Sequence, residues 1–182
     1  LPSYNPLKNL SDWIRLAIGS VLIPPLIGGV LICLLVPTDN LLRTFIIWML
    51  SEAIGALALV PLGLLFKPHY LLRHRNPKLL LESLVTLTLT LLLSWLALHY
   101  LPWPFTAVIV LLMWSAVRLP RMEAFLIYLA TVMVASLVLA IDPNVVSMPK
   151  SGVMMNAPWL PFLMILLPVH VMTMVMYAFR TE

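Results

Sequence analysis

Between Arg43 and Lys78 the sequence reads RTFIIWMLSEAIGALALVPLGLLFKPHYLLRHRNPK: an apolar run long enough to cross a bilayer, with Glu52 near its middle, Pro61 beyond it and a basic cluster on its far side. Hydrocarbon about 30 Å thick takes about 20 apolar residues and gives the backbone no external hydrogen-bond partners, so such a run must be a helix. The rest of the chain repeats this pattern. With 62% hydrophobic and 10% charged residues in 182, and a mean hydropathy of +1.04, it reads as an all-α, polytopic transmembrane helical bundle, and water-soluble folds are excluded.

Proline and turn residues divide the chain into about six spans, expected near 13–36, 41–66, 79–101, 105–119, 122–141 and 159–179. Residues 1–12 form a connector, and Ser11-Asp12 is expected to cap a helix beginning at Trp13. Pro24-Pro25 should kink the first span, while Gly28-Gly29 lets a neighbouring helix come close. The fourth span is short, about 22 Å by the helical rise.

With six alternating spans and a cytoplasmic start, one side holds Lys8, Arg15, Lys67, Arg73, Arg75, Lys78, Arg118, Arg121 and Arg180, and the other only Arg43 and Lys150. Nine against two is a strong positive-inside bias, which puts both ends of the segment in the cytoplasm and assigns Arg73, Arg75, Lys78, Arg118 and Arg121 to topology and headgroups. No basic stripe interleaves with aromatics on a polar surface, which argues against nucleic acid as a partner.

Glu52 is the sharpest candidate for function. It lies roughly 15 Å into its span, where an unpaired charge costs several kcal/mol, so it must be protonated, paired or facing a wet cavity. Arg43, some two and a half turns away, is too distant to pair with it. Ser51 and Gly55, four residues apart beside Glu52, form a small-xxx-small face suited to close helix contact. With Trp48 and Pro61 they make up the candidate ligand-binding or coupling set, against the alternative that Glu52 makes only a packing hydrogen bond.

His99 lies at the outer end of the third span and His170 deep in the sixth, so the two differ in depth and make a poor haem pair. His69 and His74 belong to the basic loop. Met148, Met154 and Met155 lack a ligand spacing for a soft metal, the series Met172, Met174 and Met176 is packing, and Cys33 is a lone packing thiol. No phosphate-binding loop, HExxH, CxxC or nucleophile elbow is present, and the aqueous segments are too short to house a soluble active site. The segment is expected to carry no catalytic residue, no metal and no cofactor.

The stretches WMLSEAIGALALVPLGLLF at 48–66, KPHYLLRHRNPKLLLESL at 67–84, PWPFTAVIVLLMWSAVRLPRMEAFLIYL at 102–129 and PWLPFLMILLP at 158–168 resemble the MASE family, the first type of membrane-associated sensor domain. The likeness covers most of the chain and is strongest from Arg43 to Tyr128. It implies a bacterial inner-membrane sensor domain over 13–179, with spans missing upstream of 1–12 and a linker to a missing cytoplasmic output domain opening at 180–182. Outputs of such domains include GGDEF diguanylate cyclases, EAL phosphodiesterases and histidine kinases, and the wording of these stretches favours the cyclase. A cyclase parent would use GTP and Mg and would work as a homodimer. The bilayer, and an unidentified small ligand or membrane protein, are the other partners implied. The competing readings are a fragment of a transporter or channel, for which intramembrane polar groups besides Glu52 and His170 look scarce, and a passive membrane anchor.

Overall fold

The computed structural model describes residues 10–66, 77–142 and 159–181, and every regular element among them is helical. Six helical rods follow one another: α1 (Leu10–Leu35), α2 (Leu41–Leu65), α3 (Pro77–Tyr100), α4 (Pro104–Arg118), α5 (Arg121–Ile141) and α6 (Leu160–Thr181). Five are long and apolar enough to cross a membrane, and α4, at 15 residues, is shorter. Large apolar side chains such as Leu34, Leu59, Leu81, Val110, Leu137 and Met164 cover the outside, as hydrocarbon solvent requires.

Local chemistry accounts for the breaks. The Asn40 side chain accepts a hydrogen bond from the Arg43 amide at 3.0 Å and so caps α2. Pro77 and Pro104 stand at the starts of α3 and α4, where a missing N–H takes nothing from the helix. A π-helical turn, Ala17–Leu22, lies just before Pro24 and Pro25, where a kink is expected from the sequence. A proline ring crowds the carbonyl four residues earlier and offers it no N–H, and a widened turn relieves both problems. The expected cap at Ser11-Asp12 is absent: the chain is already helical at Leu10, and Asp12 instead meets Arg15 at 4.0 Å.

Helices α2 and α6 lie at the centre, with 39% of their apolar windows buried, whereas α1 and α3 have 17% and stand at the periphery. Helix α1 packs on α2, α3 on α4 and α5, α4 on α6, and α2 on both α5 and α6. Contacts at one end tie Arg118 to Glu82 and Arg180 to Leu119, so the start of α3, the α4–α5 corner and the end of α6 share a basic end. The core holds Leu57, Leu98, Leu112, Phe125, Tyr128, Leu166, Val169 and His170.

The buried face of α3 consists of Thr86, Thr90, Ser94, Ala97 and Leu98. The first four recur at helical spacing, and their small size brings α3 close to its neighbours. Buried polar groups are therefore more numerous than expected: Ser115, Glu123, Thr131 and Thr173 join this stripe and His170 inside the bundle.

A polar tie between the second and last helices

Pro61 is buried within α2 and brings no N–H to the carbonyl of Leu57, four residues earlier. That carbonyl finds a partner on α6: the Nε2 of His170 lies 2.9 Å from it. The Nδ1 of the same ring lies 2.7 Å from the Leu166 carbonyl, one turn back along α6. His170 has no exposed surface, and the rings of Phe125, Tyr128 and Trp13 stand around it at 5.0, 5.5 and 6.3 Å between centroids. Tyr128 in turn shares a 2.7 Å hydrogen bond with Thr173 Oγ1, and Thr173 donates to the Val169 carbonyl. Residues of α1, α2, α5 and α6 thus converge on one imidazole.

Glu52 lies five residues before Leu57 and turns the other way. It is half-buried, with its carboxylate against Gly28 of α1: a methyl group added at Gly28 would come within 2.6 Å of Oε2. At Gly29 the added group would meet the Phe45 ring at 2.9 Å. The Gly28-Gly29 pair is where α1 and α2 approach, as expected. Among the described residues no helix comes close at Ser51 and Gly55. Ser51 and Trp48 are exposed, and a methyl group at Gly55 would meet nothing within 4 Å among the described residues. Gly55 is half-buried, and the small residues buried against neighbouring helices are those of α3.

Of the candidate set, Glu52 and Pro61 therefore face neighbouring helices, while Trp48, Ser51 and Gly55 do not share their site. His170, in sequence an intramembrane polar group and half of a poor haem pair, forms the polar centre with Tyr128 and Thr173, which no sequence motif marks. One signal pointed there: a proline in a span leaves a carbonyl in need of a donor, and His170 lies at comparable depth four spans further along the chain. His99 is at the other end, on the surface, with Nδ1 2.8 Å from the Trp95 carbonyl.

The basic end holds a second set of ties to α6. Arg180 donates to the carbonyls of Leu119, at 2.8 Å, and Val117, where α4 ends. Arg121 stands 3.3 Å over the Tyr177 ring, and Arg118 Nε is 2.5 Å from Glu82 Oε1. Arg118 and Arg121, expected to carry topological charge, thus bind other helices, and Lys78 lies exposed near the start of α3. Arg73, Arg75, His69, His74, Met148, Met154 and Met155 lie outside the described residues. No group of three or more His, Cys, Asp or Glu suited to a metal occurs among the described residues.

An apolar-surfaced helical bundle, knotted at its centre by hydrogen bonds and at one end by arginines, defines a multispanning membrane domain. The chain belongs to the MASE1 family of membrane sensor domains, whose family model matches residues 1–182. It is 70% identical over 182 residues to the probable diguanylate cyclase DgcE of Escherichia coli (strain K12). That match takes in 100% of this chain, which spans 16% of the relative's length. No solved structure matches it.

Proposed function

We propose that this chain is the sensory and anchoring region of a bacterial inner-membrane signalling protein, with both ends of the segment in the cytoplasm, and that it regulates a cytoplasmic diguanylate cyclase. The 70% identity to a protein named as a probable diguanylate cyclase, across the whole of this chain, is the observation that carries this reading. The output enzyme, in a domain outside this segment, would join two GTP molecules into cyclic di-GMP with Mg, as a homodimer. The ties of α6 to α2 and to the α4–α5 corner support a route from the bundle to the output: a change at α1 or α2 alters the position of α6, which leads out at Arg180. Glu52, seated between α1 and α2, is the coupling residue on the input side of that route, where an unidentified small ligand or membrane protein would act.

The test exchanges this region, in the full-length protein, for an unrelated anchor with as many spans and the same end orientation, and measures cyclic di-GMP in cells. A regulatory domain predicts altered output at equal protein level, and unchanged output reduces the region to a tether. In the same assay Glu52→Gln should change output while leaving membrane insertion intact. A reporter fused after Glu182 should be active in the cytoplasm.

A further inference from the structure

Helices α4 and α6 pack side by side, and both begin at the end of the bundle opposite the arginines. Between their first two turns lies a cavity of about 270 Å³. Phe105 and Ile109 of α4 and Met164 and Ile165 of α6 form its walls, and Trp103 and Thr106 complete the lining at the start of α4. Ile165 is buried and the Phe105 ring meets Phe162 edge-on, 5.4 Å between centroids, so these two mark the inner side. Trp103, Thr106 and Met164 are exposed and mark the mouth.

The size limits the occupant. A helix, about 10–12 Å across with its side chains, does not fit. The volume stands near the lower end of small-molecule sites, roughly 300–1,000 Å³, and a slot between two helices suits one hydrocarbon chain. In a bilayer an apolar slot by itself selects nothing, because the surrounding tails are as apolar as its walls. Selectivity comes from the mouth, where Trp103 carries an indole N–H and Thr106 a hydroxyl. Neither side chain has a hydrogen-bond partner among the described residues. An indole N–H only donates, so it calls for an acceptor oxygen. The positive ends of both helix dipoles lie at this end of the bundle, which favours an acceptor that carries negative charge.

We infer that this cavity binds a single-chain carboxylic acid of medium length taken from the membrane. Its carboxylate sits at Trp103 and Thr106, and its chain runs between Phe105, Ile109, Met164 and Ile165. The site stands apart from Glu52, which faces α1. An occupant wedges between the starts of α4 and α6, the two helices whose far ends Arg180 holds together.

The probe is decanoic acid with a diazirine at its chain end, photolysed with the full-length protein in lipid nanodiscs, and mass spectrometry locates the adducts. Saturable labelling is expected at residues 103–109 and 160–165, suppressed by excess plain decanoic acid. Decane at the same content in the membrane should compete about tenfold less well, because it forgoes hydrogen bonds to a charged group. Met164→Trp fills the mouth from an exposed position and should abolish the labelling, while Leu137→Trp, similarly exposed on α5, should leave it intact. Trp103→Phe keeps a ring but no N–H and should weaken competition by decanoic acid. Adducts spread evenly over the lipid-facing helices, adducts that persist in Met164→Trp, or the absence of saturable labelling because another part of the chain fills the slot would each overturn the site. Equal competition by decane overturns the acid as its ligand. Binding is read without the cyclase, so a cyclic di-GMP level that ignores the acid counts against the sensory reading and leaves the site standing.

Discussion

His170 Nε2 sits 2.9 Å from the carbonyl of Leu57, whose helical donor is removed by Pro61 four residues further on. A helix-breaking residue in one span is thereby matched by a donor in another. Removing the donor should expose the mismatch. His170→Ala is expected to destabilise the bundle by about 1–3 kcal/mol through the stranded carbonyl, with a further loss for the emptied ring space. In the Pro61→Ala background the carbonyl has its own N–H, so the penalty of His170→Ala should shrink. Unfolding in mixed micelles of the parent, both single variants and the double variant measures the coupling, and strictly additive effects would refute it.

The seat of Glu52 is made by the absence of a side chain at Gly28. Gly28→Ala should push the carboxylate aside and loosen α1 from α2, at a cost of about 1–3 kcal/mol. Shortening the neighbour in Gly28→Ala/Glu52→Ala should recover much of that. Crosslinking yield between cysteines placed on α1 and α2 provides the readout.

Two faces of small residues should respond in opposite ways. Thr90→Leu on α3 overfills a buried contact and is expected to cost about 1–3 kcal/mol, whereas Ser51→Leu on the exposed face of α2 should stay within about 0.5 kcal/mol. Equal sensitivity at the two positions, measured by thermal unfolding in detergent, would mean that the Ser51 face is covered.

Arg180 holds the end of α6 against the α4–α5 corner. Arg180→Gln removes the charge and the forked geometry that reaches both carbonyls. Spin labels near residue 178 and on α4 should then show a broader distance distribution, and cyclic di-GMP output in the full-length protein should shift. Lys at the same position should restore less than half of the effect if the paired geometry matters.

Tyr128→Phe deletes the hydrogen bond to Thr173 and the longer, 3.5 Å one to the Val169 carbonyl. Side-chain hydrogen bonds between membrane helices average about 0.6 kcal/mol, and a loss of that size is expected in unfolding experiments.

The helical rods were legible because length and hydropathy suffice to find them, and the helix ends follow from Asn40, Pro77, Pro104 and Pro120, the residue before α5 begins at Arg121. Contact at Gly28-Gly29 was legible too, since paired glycines in a span have few other uses. What could not be read was rotation. In water, polarity separates the inner from the outer face of a helix, but here both faces are apolar, so Ser51/Gly55 and Thr86/Thr90/Ser94 look alike as contact faces. The partnership of His170 with Leu57 was half legible. Depth along the spans matches them, yet only the rotation of α6 decides whether the ring turns toward α2 or toward lipid.

The π-helical turn at Ala17–Leu22 bears on that same question of rotation. A turn that absorbs one residue more than its α-helical counterpart dials everything upstream round by about 100°. Trp13 can then lean over His170 while Gly28 and Gly29, further along the same rod, look at α2. Excising a single residue there would leave the rod its length to within about 1.5 Å and swing the indole off the imidazole, so this bulge works as a phase adjuster between two contacts that a uniform helix would not satisfy together.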